Sequence, residues 1–239
     1  MIRTALYCIP TPLGGLASDI LPAATRLVIH ELRHFVAENA KSARAFLSDA
    51  AVPGPISAIQ ISVLEQNVLP PAARSLLEPL RKGSPMGLIS EAGCPAIADP
   101  GASLVEAAQR EGFTVVPLVG PCSIVLALMA SGLEGQRFTF CGYLPRKSEE
   151  RRQAILSIVR RSRAERETQI FIETPYRNQA MVGALLESCD PGTRLCFASD
   201  LTLPGETVRT RTTEEWRRNP PDLAKRPTVF LLLASSRST

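Results

Sequence analysis

Ser90-Glu91-Ala92-Gly93-Cys94-Pro95-Ala96-Ile97-Ala98-Asp99-Pro100-Gly101 sets two acids and two glycines in one loop directly after the apolar run Met86–Ile89. That run predicts a buried strand, and residues 103–108 begin a helical pattern. The loop therefore follows the carboxyl end of a strand, where open α/β sheets bind ligands. Connections of this kind usually have about two to six residues. The extra length predicts a ligand loop rather than a plain connection.

Strand signals alternate with helix signals on both sides of this loop, which predicts a mostly parallel sheet with helices on its faces. Strands are predicted at residues 4–9, 35–37, 56–64, 86–89 and 113–117, and helices at 21–32, 42–50, 71–80, 102–111 and 123–132. Two more junctions, at residues 12–15 and 118–123, then follow strands at the same edge as the first loop. Each can be a simple turn or helix cap, or part of a binding site.

The pattern changes after Leu133, where the aromatic strand-like run 137–143 begins. A basic helix over residues 149–163 follows, with a further helix at 178–188. Further strands are predicted at residues 169–173, 195–199, 206–210 and 229–234. The sequence thus predicts an α/β protein of two α/β domains, residues 1–136 and residues 137–239.

Charge is unevenly distributed along the chain. Residues 1–144 carry ten Lys/Arg and eleven Asp/Glu, a net charge of −1, whereas residues 145–239 carry seventeen and twelve, a net charge of +5. The basic part favours an anionic partner, either a nucleic acid or an acidic small molecule. Because acidic residues are interleaved with the basic ones, part of this charge is expected to form surface ion pairs.

Several classes of protein are disfavoured. The six cysteines form no CxxC pair, so neither a metal site nor a disulfide framework is predicted, and reduced thiols fit the cytoplasm. No export signal is recognised at the start. Residues 112–133 lack charge but contain Pro117, Gly120 and Pro121, which favours a strand, a turn and a buried helix over a membrane span. The glycine loops match neither GxGxxG nor GxxxxGK[ST], so a nicotinamide enzyme is weakly supported.

Five motifs in this order resemble the tetrapyrrole methylase superfamily of S-adenosylmethionine-dependent methyltransferases, and within it the group that methylates small-subunit ribosomal RNA. They are Thr11-Pro12-Leu13-Gly14, the loop 90–101, Gly120-Pro121-Cys122-Ser123, the Gly-Tyr-Leu-Pro-Arg-Lys run at 142–147, and Glu173-Thr174-Pro175-Tyr176-Arg177. The resemblance covers nearly the whole chain. It implies two α/β domains with a cleft between them that holds the methyl donor, and a homodimer.

The resemblance and the loop positions together give candidate site residues. S-adenosylmethionine is expected to contact Pro12, Leu13, Gly14, Gly15, Glu91, Ala92, Gly93, Ala96, Ile97, Asp99, Gly120 and Ser123. Glu38 and Glu173 are the candidates for accepting or orienting the proton of a hydroxyl nucleophile. Substrate contacts are expected from Asn39, Lys41, Arg44, Arg146, Lys147, Tyr176 and Arg177. No metal is expected, because a sulfonium activates its own methyl group.

The substrate is left open between two anions. The implied reaction is ribose 2′-O-methylation of ribosomal RNA in the small subunit, and the alternative is methylation of a tetrapyrrole ring carbon. Glu38-Asn39-Ala40-Lys41 and Ser90-Glu91-Ala92-Gly93 stand where the RNA-methylating group tends to carry Glu-Asp-Thr-Arg and Ser-Asp-Ala-Gly. A donor-binding scaffold without catalysis is the alternative from another class. In each case no membrane association is expected.

Overall fold

The computed structural model describes residues 2–64 and 70–235. The chain divides into two compact units, Met1–Cys122 and Ser123–Thr239. The helix Ser123–Ser131, labelled α7 below, groups with the second unit, whereas the boundary expected from the sequence lies after it, at residue 136.

The first unit is a parallel sheet flanked by helices. Its strands are β1 Leu6–Ile9, β2 His34–Ala37, β3 Gln60–Val63, β4 Met86–Ile89 and β5 Val115–Pro117. Its helices are α1 Ala17–Ile20, α2 Ala23–Glu31, α3 Ala40–Asp49, α4 Pro70–Ser75, α5 Glu78–Arg81 and α6 Ala102–Arg110. The strands lie in the order β3-β2-β4-β1-β5 and every pairing is parallel, which confirms the predicted sheet.

Burial on both faces explains why the central strands read as continuous apolar runs. All four residues of β4 are buried. One core cluster contains Ile9 and Phe35, and another contains Leu6 and Leu88. A Cβ on Gly87 of β4 would lie 2.5 Å from Ile9 Cδ1, so the central strands pack too closely for a larger residue there.

Two predicted elements differ in detail from the structure. The strand expected at residues 56–64 begins with the 3-10 turn Ile56–Ala58, and only Gln60–Val63 pairs. The helix expected at 71–80 is divided into α4 and α5. The uncharged segment 112–133 contains β5, a turn and the whole of α7, as predicted. No helix in the described ranges has both the length and the hydropathy that crossing a membrane requires.

The second unit is built on a mixed sheet. It contains α7 Ser123–Ser131, β6 Phe138–Tyr143, α8 Ser148–Glu165, β7 Thr168–Ile172, α9 Asn178–Ser188, β8 Arg194–Ser199, β9 Thr207–Thr212, α10 Thr213–Arg218 and β10 Thr228–Leu233, with a 3-10 turn at Pro175–Arg177. The strand order is β6-β7-β10-β8-β9. Only β6 and β7 pair in parallel, and the other pairings are antiparallel.

An aromatic cluster holds the second core together. Phe171 and Phe230 stack with their ring centroids 5.4 Å apart, and Phe197 lies 5.0 Å from Trp216. Trp216 is buried in this cluster, and the cost of burying its indole N–H is offset because the group donates to the Leu195 carbonyl at 2.9 Å. It comes from α10, which the sequence prediction missed.

Candidate functional site: the carboxyl edge of the sheet in the first unit

The loops after β1 and β4 are joined by their backbones. Thr11 N–H donates to the Gly93 carbonyl at 2.9 Å, and Gly93 N–H donates to the Thr11 carbonyl at 3.0 Å. Gly93 has φ +78°, and a Cβ there would lie 3.2 Å from Leu13 Cδ2. The two glycine-bearing loops predicted at one edge of the sheet therefore meet, and Gly93 leaves little space for any side chain at their junction.

The loop after β5 reaches the same place. A Cβ built on Gly93 would lie 3.7 Å from the Pro121 carbonyl oxygen, and the Cys94 thiol donates to that oxygen at 3.4 Å. A Cβ on Gly120 would lie only 2.5 Å from Pro10 Cβ, so the backbones after β1 and β5 are in close approach. Ser123 is the first residue of α7 and follows this loop directly in the chain. Three strand-to-helix junctions thus converge, as their positions in the sequence predict.

Strained backbone marks the loop 90–101. Ala96 has φ +65° and Ala98 has φ +63°, in a region that disfavours residues with a Cβ. The buried side of the loop is held by Ser90, whose hydroxyl donates to the Gly93 carbonyl at 2.6 Å. Such strain persists only where surrounding contacts impose it, and it is concentrated at functional sites.

Three carboxyl groups approach one another at this edge. Burial, with Asp99 and Glu91 nearby, raises the pKa of Glu38 to about 7. Burial and the neighbouring Glu91 raise the pKa of Asp99 to about 6. Glu91 itself accepts a hydrogen bond from the Ser42 hydroxyl at 2.5 Å. Glu38 follows β2, and β2 lies beside β4 in the sheet, so the two loops that carry these acids are neighbours.

One oxygen of the Glu38 carboxyl group, Oε1, is buried without a hydrogen-bond partner among the described residues. Leaving a buried polar atom unpaired is costly, typically by about 1–3 kcal/mol. A ligand with a cationic or donor group at this edge would satisfy the atom and relieve the repulsion among the three acids.

The other candidate donor contacts belong to the same loops. Gly15 has φ +81° and lies near Ile20. Pro12, Gly14, Ala92 and Ile97 lie within the converging segments 10–16 and 90–101, and Ile97 is exposed. Their roles toward a ligand stay predictions.

Three candidate substrate residues surround the start of α3 in the first unit. The Asn39 side chain caps the helix, accepting from Lys41 N–H at 2.8 Å. Lys41 and Arg44 are exposed, and the Arg44 Nη1 donates to the Ala40 carbonyl at 3.3 Å. Asn39 therefore has a structural role in addition to the predicted one.

The remaining candidates lie in the second unit, in two groups. Glu173 is buried, and its Oε1 accepts from Arg177 Nε at 2.9 Å and from Thr174 N–H at 2.6 Å. Tyr176 is 85% exposed beside them. Arg146 and Lys147 precede α8, where Lys147 pairs with Glu150 at 3.0 Å. Glu173 Oε2 is buried without a hydrogen-bond partner among the described residues, as Glu38 Oε1 is. Because Glu173 Oε1 is already bound to a guanidinium, however, Glu173 is less suited than Glu38 to accept a proton.

Sequence reasoning missed two residues that organise the site. Ser42 holds Glu91, and Thr11 links its loop to Gly93 while its hydroxyl donates to the Ser90 carbonyl at 3.3 Å. The position of Thr11 two residues after β1 was a usable signal. Ser42 carried no such signal, because Glu91, which accepts its hydrogen bond, is 49 residues away in the sequence.

The first unit is thus an α/β domain whose carboxyl edge is shaped by backbone turns and carries a cluster of acids suited to a cationic centre. Solved structures share the fold of the whole chain. The methyltransferase CobJ gives a TM-score of 0.63 at 17% identity, with 97% of this chain and 94% of that chain covered. Uroporphyrin-III C-methyltransferase from Thermus thermophilus, in complex with S-adenosylhomocysteine, gives 0.57 at 17% identity, with 96% and 97% covered.

Sequence comparison identifies the family. The profile of the Tetrapyrrole (Corrin/Porphyrin) Methylases matches residues 6–216. Ribosomal RNA small subunit methyltransferase I of Vibrio cholerae is 32% identical over 213 residues, covering 85% of this chain and 67% of the relative. The Haemophilus influenzae protein of the same name is 30% identical over 236 residues, covering 98% and 80%. The chain belongs to the tetrapyrrole methylase family of S-adenosylmethionine-dependent methyltransferases.

The residues at the carboxyl edge fit this donor. S-adenosylmethionine carries a sulfonium and an ammonium group, and the three acids with the unpaired Glu38 oxygen provide a site for positive charge. The absence of side chains at Gly93 and Gly120 lets the three loops pack together, and backbone groups of such loops can bind an adenosine.

Proposed function

We propose that this chain methylates a ribose 2′-hydroxyl of small-subunit ribosomal RNA. The observation that carries the proposal is the Glu38 carboxyl group, which has a pKa of about 7 and an unpaired buried oxygen at the edge where the three loops meet. The names of the curated relatives support the RNA substrate. The net charge of +5 over residues 145–239 supports an anionic partner.

The donor supplies a methyl group that its own positive charge activates for in-line displacement. The chain's residues then act chiefly by alignment, an effect worth up to about 7–11 kcal/mol when fully realised. In the proposal, the loops containing Leu13, Gly93 and Gly120 hold the donor through backbone groups and shape. Asp99 and Glu91 hold its cationic groups.

Glu38 acts on the nucleophile. A ribose hydroxyl is a poor nucleophile, and an acceptor for its proton assists attack. A general base is most effective when its pKa lies near the working pH, which is where burial and the neighbouring acids set Glu38. Glu173 is assigned the positioning of Arg177, to which it is bound. Arg177, Tyr176, Arg146, Lys147, Lys41 and Arg44 are the proposed RNA contacts.

The test is transfer of radiolabelled methyl groups to small ribosomal subunits, naked ribosomal RNA and uroporphyrinogen in parallel. We expect label in ribosomal RNA, loss of at least about a hundredfold in Glu38→Gln, and no change in the control Glu106→Gln, whose carboxylate pairs with Arg110 on the exposed face of α6. Label confined to uroporphyrinogen would replace RNA by a tetrapyrrole. Donor binding with no label in any acceptor would indicate a scaffold.

The proposed enzyme acts as a homodimer in the cytoplasm, where its ribosomal substrate lies. Helix α7 supports a dimer because Val125 and Met129, one turn apart on the helix, are 53% and 75% exposed. Adjacent exposed apolar side chains of this size are typical of interfaces.

A further inference from the structure

A pocket lies in the second unit, on one side of the edge strand β9. It is a cavity of about 270 Å³ lined by Phe197, Trp216 and Leu223, by the segment 219–222, and by side chains of β9. Phe197 and Trp216 belong to the aromatic core, so the floor of the pocket is rigid.

Three arginines surround this floor. Arg209 and Arg211 project to the same face as Thr207, because alternate residues of a strand share a face. The Arg211 Cζ atom lies 4.9 Å from the Trp216 ring centroid, which places its guanidinium plane over the indole. Arg226 is fixed by hydrogen bonds to Asp200 Oδ2 at 2.6 Å and to the Gly205 carbonyl at 2.8 Å. Its Nη2 also donates to Thr207 Oγ1 at 3.1 Å.

The pocket has excess positive charge. Asp200 neutralises Arg226, but neither Arg209 nor Arg211 forms a salt bridge in the described ranges. Asp222 is the acidic residue of the lining, and its Oδ1 accepts from Ala224 N–H at 3.1 Å. With hydrogen bonds from Thr212, the nearby Arg211 helps to lower the pKa of Glu215, but neither Arg209 nor Arg211 forms a direct ion pair with a carboxylate in the described part of the chain, and both line the pocket beside its aromatic residues. This combination recognises a phosphate joined to a planar group.

We propose that this pocket binds one nucleotide of single-stranded RNA, its phosphodiester between Arg209 and Arg211 and its base stacked on the Arg211 guanidinium. A fork-shaped guanidinium binds two phosphate oxygens at once, and bases stack on arginine planes as they do on aromatic rings. An acidic peptide would satisfy the charge but would not use the stacking plane. The inference rests on the proposed function for its RNA, and it adds a binding site made of residues other than those at the carboxyl edge of the first sheet.

Trp216 makes the test direct, because it is the only tryptophan of the chain. An oligouridylate of about 12 nucleotides, within the usual range of single-strand site sizes, is titrated without methyl donor while tryptophan emission is followed. We expect a saturable emission change and, for Arg209→Gln/Arg211→Gln, an affinity reduced by about tenfold or more. The slope of log affinity against log salt should fall in magnitude by about 0.7 for one lost phosphate contact.

Two further variants make the result interpretable. Arg110→Gln/Arg160→Gln removes the same charge from exposed helical positions in α6 and α8 and should bind like the wild type. Arg209→Lys/Arg211→Lys keeps the charge but removes the planar fork, so it should keep the salt slope and lose the emission change. Equal affinity in the Gln double variant and its control would overturn the proposal, as would equally tight binding of polyglutamate.

Failure of this inference can be told apart from failure of the proposed function. Methylation of ribosomal RNA together with unchanged oligouridylate binding in the Gln double variant would contradict the pocket alone. Pocket-dependent oligouridylate binding without methylation of any RNA would contradict the proposed reaction alone.

Discussion

Thr11 and Gly93 exchange two backbone hydrogen bonds, of 2.9 and 3.0 Å, although β1 and β4 have both ended before them. This bridge of two hydrogen bonds fixes the distance between the two loops, and a Cβ on Gly93, at its φ of +78°, would lie 3.2 Å from Leu13 Cδ2.

Gly93→Ala should therefore weaken donor binding by about tenfold or more, because the new methyl group displaces Leu13 or breaks the bridge. Gly112→Ala is a matched control, with φ +79° and nothing within 4 Å of its Cβ position. Both variants carry the cost of a left-handed alanine, about 1–2 kcal/mol of stability. Calorimetric titration should show weaker binding of S-adenosylhomocysteine to Gly93→Ala than to Gly112→Ala. Equal affinities would mean that the bridge does not shape the donor site.

The acid cluster predicts how donor affinity depends on pH. As pH rises through about 6 and about 7, Asp99 and Glu38 lose their protons and the edge gains negative charge. S-adenosylmethionine carries a sulfonium charge that S-adenosylhomocysteine lacks. The ratio of their affinities should rise in favour of S-adenosylmethionine over this window, and by less in Glu38→Gln. A ratio independent of pH would place the sulfonium away from these acids.

The same pKa shift has a consequence for stability. Because the pKa of Glu38 is raised from 4.5 to about 7, the folded state holds this proton more tightly than the unfolded state does. This stabilisation is complete below pH 4.5 and is lost as pH rises through about 7. Glu38→Gln cannot ionise, so its unfolding free energy should fall less than that of the wild type between about pH 5 and pH 8. Urea denaturation at both pH values measures the difference, and parallel changes would show that the proton is not held there.

The proposed dimer is tested on α7. Met129→Asp puts a charge beside exposed Val125 on α7 and should weaken self-association by about a hundredfold or more. Leu27→Asp introduces the same charge at an exposed leucine on α2 and should leave the molar mass of the dimer in solution unchanged. Light scattering over a range of protein concentrations measures the molar mass of both variants. A monomeric wild type would remove the proposal.

Much of the first unit follows from local sequence. The apolar run of β4 and the loop 90–101 predict a carboxyl-edge site without knowledge of strand order, because every parallel strand places its following loop at one edge. The interaction of Glu38 with Asp99 could not be predicted in this way. It depends on β2 lying beside β4, although β3 lies between them in the chain.

The second unit shows the same limit. The motif Thr212-x-x-Glu215 forms a capping box that begins α10, so this missed helix had a local signal. The pocket beside it had a weaker one, the alternation of Thr207, Arg209 and Arg211 along a strand. Its aromatic floor comes from β8 and α10, and the Arg226 side of the pocket comes from the segment before β10. Such long-range pairing is set by packing of the whole sheet.

The central claim is that the loops containing Leu13, Gly93 and Gly120 form one pocket for the methyl donor. Isothermal titration of the wild-type chain with S-adenosylhomocysteine tests it most directly. We expect saturable binding of one ligand per chain. Absence of any heat of binding at millimolar ligand, from protein shown to be folded by circular dichroism, would contradict it.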